Sequence, residues 1–172
     1  MFSGDKVTEF TRGSLVVKIK EDLKGLRIFN KDDLKSIAYY HSRRFFLTLP
    51  GWILRVNPEF HGQKPDLAVL ENYETRAILQ FEFALAPQQY RYFPKVMFDE
   101  RMVMLKNSVK LSKNKGTKAY LFGIYDTDES IFYPTIKDKD FQSTLWIPIN
   151  VREFQDYSVW RKKWDEMKSH LF

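Results

Sequence analysis

The stretch Lys64-Pro65-Asp66-Leu67-Ala68-Val69-Leu70, and after a short turn Ala77-Ile78-Leu79-Gln80-Phe81-Glu82-Phe83-Ala84-Leu85, decides how the rest of the chain is read. Both runs are apolar enough for strands of a buried sheet, over 65–70 and 76–85, with 71–74 as the turn between them. Side chains alternate across a strand, so Ile78, Gln80, Glu82 and Ala84 share one face while Phe81 and Phe83 share the other. Two polar groups on one face of an otherwise apolar central strand must find partners, because burying them unpaired is costly. The hairpin brings Asp66 close to them. Carboxylates that converge at a strand end form an oxygen-ligand site for Mg2+ or Mn2+, and such an ion can polarise a scissile phosphate and activate a water.

Upstream, Asn30 reads as a helix cap, with Asp32 and Asp33 in the first turn where carboxylates suit the helix dipole. Leu34, Ile37, Ala38, His41 and Phe45 then make the stripe of a helix over 31–47, which Pro50-Gly51 ends. A short strand over 52–56 and the loop 57–64 lead into the deciding stretch. Downstream, Pro87-Gln88-Gln89 breaks the strand and Pro94 suits a first helical turn. Phe98, Met102, Leu105 and Val109 mark a helix over 94–112, followed by a strand over 118–125. A helix between the third and fourth strands implies a crossover and therefore a mixed sheet.

Outside this core, 14–20 reads as a strand with 26–29 as its partner, so 1–29 is expected to add N-terminal strands. The segment 126–172 is expected to add short strands at 131–133 and 145–147. A last helix follows, capped by Asn150, with Phe154, Tyr157, Trp160, Trp164, Met167 and Leu171 on one face. The 172 residues then form one α/β domain, a central mixed sheet flanked by helices with N- and C-terminal additions.

The Pro65-Asp66 strand followed by Gln80-Phe81-Glu82, in this order of elements, resembles the PD-(D/E)XK nuclease superfamily over about residues 30–125. The resemblance implies a restriction-endonuclease-like αβββαβ core and an Mg2+- or Mn2+-dependent deoxyribonuclease or endonuclease activity. It makes Asp66 the first acid of the motif. In one register Gln80 takes the second-acid place and Glu82 the lysine place; in the other Glu82 is the second acid and Ala84 replaces the lysine. The resemblance thus implies Asp66 and Glu82 as metal ligands and catalytic residues, assisted by Gln80. In branches of this superfamily the lysine is replaced or supplied from a neighbouring element, for which Arg91 and Lys95 are candidates. Gln88 and Tyr92 match the Gln-x-x-x-Tyr pattern of exonuclease branches. The plasmid replication-relaxation family is similar in pairing a Pro-Asp strand with an acid-x-acid strand. Nucleic-acid contacts are expected from His61, Lys64, Gln88, Arg91, Tyr92 and Lys95.

Net charge is +6 and the isoelectric point is near 9.4, a balance that favours a polyanionic partner such as nucleic acid, and the resemblance implies DNA ahead of RNA. The lysines at 106, 110, 113 and 115 either touch a phosphate backbone or simply complement a helix end. The chain has no cysteine, which excludes disulfides, thiolate zinc sites and cysteine nucleophiles. His41, His61 and His170 are not spaced as zinc ligands. No apolar run approaches the roughly 18 residues of a membrane span, and the first residues lack the features of a signal peptide, so a soluble cytoplasmic protein is expected. A homodimer stays open. The alternative to an enzyme is a non-catalytic nucleic-acid-binding protein, a replication, mobilisation or assembly factor, on the same fold; the missing lysine is its best support.

Overall fold

Five strands pair in the order in which they occur in the chain. The computed structural model describes residues 3–85, 93–114, 116–127 and 143–171. It runs α1 (Ser3–Glu9), a π-helical turn (Phe10–Ser14), α2 (Leu15–Lys24), α3 (Lys31–Phe46), β1 (Trp52–Val56), β2 (Leu67–Glu71), β3 (Glu74–Ala84), α4 (Phe93–Leu111), β4 (Lys118–Tyr125), β5 (Thr144–Asn150), a 3-10 turn (Val151–Glu153) and α5 (Tyr157–Leu171). β1, β2 and β3 are antiparallel neighbours, whereas β3, β4 and β5 run parallel. The mixed sheet and the helix, three strands, helix, strand order expected for 30–125 are both present.

β3 is the central strand, and its alternation divides the core. Ala77, Leu79 and Phe81 join the apolar cluster that holds Leu34, Ala38 and Phe46 of α3 and Trp160 and Trp164 of α5. Ile78 joins the cluster on the other face, with Phe98, Met102 and Leu105 of α4 and Leu121 of β4. A reciprocal cap sets the start of α3: the Asn30 side-chain oxygen accepts the Asp33 N–H at 2.8 Å, and the Asp33 carboxylate accepts the Phe29 N–H at 2.9 Å.

The N-terminal strands expected within 1–29 are not formed; this segment is helical up to Lys24. Its β-branched residues suit a strand, but Leu15, Ile19 and Leu23 recur every fourth residue and all three are fully buried. That helical stripe, docked on α3, outweighs local propensity. His41 on α3 meets Asp22 of α2 at 2.8 Å, adding a polar tie between the two helices. The expected partner strand at 26–29 is also absent. The indole N–H groups of Trp160 and Trp164 donate to the carbonyls of Leu23 and Ile28, both at 2.9 Å, in place of a sheet ladder.

At the C-terminal side, the strand expected at 145–147 is β5, while the one expected at 131–133 lies outside the described residues. Asn150 caps the 3-10 turn, accepting from the Arg152 N–H, rather than α5. The apolar stripe of α5 ends at Trp164, since Met167 and Leu171 are exposed. Asp126, just after β4, anchors this helix: Arg152, Tyr157 and Arg161 all bond its carboxylate, and Arg161 also donates to the Leu85 carbonyl beyond β3. No described helix is long and apolar enough to cross a membrane.

Two measurements check this arrangement. In a strand Val17 and Ile19 would share a face, whereas in α2 Val17 is 54% exposed and Ile19 is fully buried. Ile19→Ala should therefore lower the urea-unfolding free energy by about 2–5 kcal/mol, and Val17→Ala by less than about 0.5 kcal/mol. Burial, the hydrogen bond to Asp126 and the Asp126 charge together push the Tyr157 hydroxyl from its ordinary value of 10.0 up to about 12. Between these values the unfolded chain loses this proton and the folded chain keeps it, so stability falls as pH rises. The advantage of the wild type over Tyr157→Phe in urea midpoint should be constant below pH 10 and shrink from there toward pH 12.

Candidate active site

Three polar side chains are buried together where β2 begins and β3 passes it. Asp66, Gln80 and Glu82 are only 4%, 4% and 5% exposed. Leu67 pairs with Leu79, so Asp66, one residue outside the ladder, stands across from Gln80. The Asp66 carboxylate accepts the Phe81 N–H at 2.8 Å, which locks it against β3. The Gln80 amide donates to Glu82 Oε1 at 3.0 Å. On the neighbouring strand the residue paired with Glu82 is Gly123, whose lack of a side chain makes room for the Trp146 ring of β5 and the Phe98 ring of α4.

The two acids are answered by cations from two helices on opposite faces of the sheet. From α3, the Lys31 ammonium lies 3.5 Å from Glu82 Oε1 and 3.7 Å from Asp66 Oδ2. Lys35, one turn further along, lies 3.4 Å from Asp66 Oδ1 and donates to the Asn57 side chain at 2.9 Å. From α4, Arg101 Nε reaches Glu82 Oε1 at 2.9 Å. Compensation of this kind is what keeps two carboxylates tolerable at such burial.

One atom is left unanswered. Gln80 Oε1 is buried and has no hydrogen-bond partner. Turning the amide over would set its oxygen against the Glu82 carboxylate, so the orientation follows from the chemistry. An orphaned acceptor of this kind costs about 1–3 kcal/mol. Asp66 and Glu82 share the Lys31 ammonium, and the Gln80 amide, which meets Glu82 through its nitrogen, adds a third hard oxygen to the same buried cluster. Among the described residues no three His, Asp or Glu side chains gather into a metal-holding group. Mg2+, however, is commonly held by one or two carboxylates, with waters and substrate phosphate filling the remaining positions, and this donor set fits that pattern.

The structure thus brings Asp66, Gln80 and Glu82 together and leaves two of the expected nucleic-acid contacts apart. His61 is exposed, adopts a left-handed backbone (φ 48°) and sets its ring edge-on to Phe60. Lys64 is exposed and pairs with neither acid. Gln88, Arg91 and Tyr92 lie outside the described residues, as does the side chain of Lys95. Lys31, Lys35 and Arg101 went unrecognised in the sequence. The only signal was the four-residue spacing of the two lysines at the start of α3, which reads equally as a solvated helix face. No family model, no curated protein and no solved structure matches the chain.

Replacing Asp66 separates its two roles in stability. Lys31 and Lys35 are 36% and 22% exposed and can turn to water when Asp66 is removed, but the Phe81 N–H cannot. Asp66→Ala should therefore lower the unfolding free energy by about 1–3 kcal/mol, the usual loss for one stranded buried donor. Asp66→Asn, which keeps an acceptor for Phe81, should lose less in the same urea titration.

Proposed function

We propose that this chain is a metal-dependent nuclease that hydrolyses phosphodiester bonds of DNA, with a core of the PD-(D/E)XK type. The observation that carries the reading is the burial of Asp66, at the start of β2, beside Gln80 and Glu82 of the central strand, with one ammonium within ion-pair distance of both acids. The register that sets Gln80 across from Asp66 supports Gln80 in the second-acid place and Glu82 in the lysine place.

Asp66, Glu82 and Gln80 are the residues that would hold the ion. A bound Mg2+ or Mn2+ supplies Lewis acidity to a phosphate oxygen and to the attacking water. The chain's own groups do the rest. The Phe81 N–H fixes the Asp66 carboxylate, and Gln80 and Arg101 fix that of Glu82. Lys31 and Lys35 bring positive charge to the edge of the site, where a phosphodiester must enter. The basic net charge favours the same polyanion. Hydrolysis adds water across one P–O bond, leaving a phosphate monoester and a free hydroxyl.

One observation favours a non-catalytic DNA-binding protein on this fold. The two carboxylates are already matched by three cations, an arrangement that also satisfies a purely structural ion cluster. Incubation of supercoiled plasmid with the protein and Mg2+ or Mn2+ decides between the two. The nuclease should nick or linearise the plasmid only with the divalent ion, and Glu82→Ala should reduce cleavage by at least 100-fold while retaining DNA binding. Binding without cleavage under any divalent ion gives the second reading.

A further inference from the structure

We propose that Lys31 is an exchangeable cation: its ammonium holds the two carboxylates together, yields their oxygens to a divalent ion, and is thereby released to contact the phosphate. The inference rests on the reading of Asp66 and Glu82 as metal ligands.

Three features single out Lys31. Among the described residues it is the one cation within ion-pair distance of both acids, at 3.5 Å from Glu82 and 3.7 Å from Asp66. A divalent ion held by these two carboxylates would compete with its ammonium. Both contacts are also long. Arg101 is held to Glu82 at 2.9 Å, and Lys35 is tied at 2.9 Å to Asn57, while Lys31 has no such short bond. Finally, Lys31 is the first residue of α3, directly after the Asn30 cap, where the helix dipole opposes a positive charge. Asp32 and Asp33 in the same turn favour that position electrostatically, but a lysine there gains only from what its ammonium reaches across the sheet end.

Exchange of a monovalent ammonium for a divalent ion adds one positive charge to the site. Two carboxylates face three cations, and bringing in a divalent ion leaves the site with an excess of positive charge unless an anion accompanies it. A DNA phosphate supplies that anion, and the freed Lys31 is anchored at the point where it arrives. Metal and DNA binding are thereby coupled through one side chain, with no covalent change.

Calorimetric titration of Mn2+ into wild type, Lys31→Met, Lys31→Arg and Lys35→Met tests this without depending on turnover. Removing the exchangeable cation should tighten Mn2+ binding by at least tenfold in Lys31→Met, because the ion no longer has to displace it. Lys31→Arg, which keeps the charge, should bind no more tightly than wild type, and Lys35→Met should change the affinity less than about threefold. Duplex-DNA binding measured with and without Ca2+ should show a metal-dependent gain in wild type that Lys31→Met loses. Equal effects of Lys31→Met and Lys35→Met, or no Mn2+ binding by any of the four proteins, overturns the inference. Tighter Mn2+ binding by Lys31→Met in a protein that never cleaves DNA sustains the exchange and rejects the nuclease reading instead.

Discussion

The buried charge of Glu82 is the constraint around which this structure is arranged. It lies in the central strand of a five-stranded sheet, 5% exposed, with apolar residues before and after it. A carboxylate in that position survives only if donors and cations are brought to it. Gln80 arrives from the same strand, Arg101 from α4 and Lys31 from α3. The two helices on opposite faces of the sheet are thus tied to one oxygen atom. Asp66 is tied in the same manner through the Phe81 N–H and Lys35.

This polar centre is embedded in two separate apolar clusters that share the sheet. One gathers α2, α3 and α5 around Leu79 and Phe81; the other gathers α4 around Ile78 and Leu121. The two clusters supply the bulk of the buried apolar surface on either side of the sheet, and the polar site sits between them. The Gln80 oxygen is one of four buried polar atoms without a partner among the described residues, with Ser42 Oγ, Thr144 Oγ1 and Trp146 Nε1, and it is the one beside the two acids.

The ion cluster explains why function is harder to read here than fold. A salt-bridged quintet and a metal centre with attendant cations use the same residue types at similar distances. What separates them is exchangeability, which depends on how firmly each cation is held. Arg101 and Lys35 are fastened by short bonds, whereas Lys31 spans two acids loosely from a helix start. The chemistry therefore turns on a side chain whose only local feature is its place beside a helix cap.

Much of the fold was legible in the chain itself. The 52–56 strand, the helices starting after Asn30 and near Pro94, and the alternation of β3 were readable because each rests on local periodicity, caps and breakers within a few residues of one another. The same alternation placed Gln80 and Glu82 on one face, and the hairpin placed Asp66 beside them. The N-terminal segment reads locally as strands because Val16, Val17 and Ile19 carry strand propensity, while the helical spacing of Leu15, Ile19 and Leu23 has meaning only once α3 offers a surface to bury them. Only the tertiary structure chose the partners of the acids. Lys31 and Lys35 are separated from Glu82 by about fifty positions, and nothing local distinguishes them from lysines on a wet helix face. Their role is set by the docking of α3 across the sheet, a long-range geometry that no pattern within the helix records.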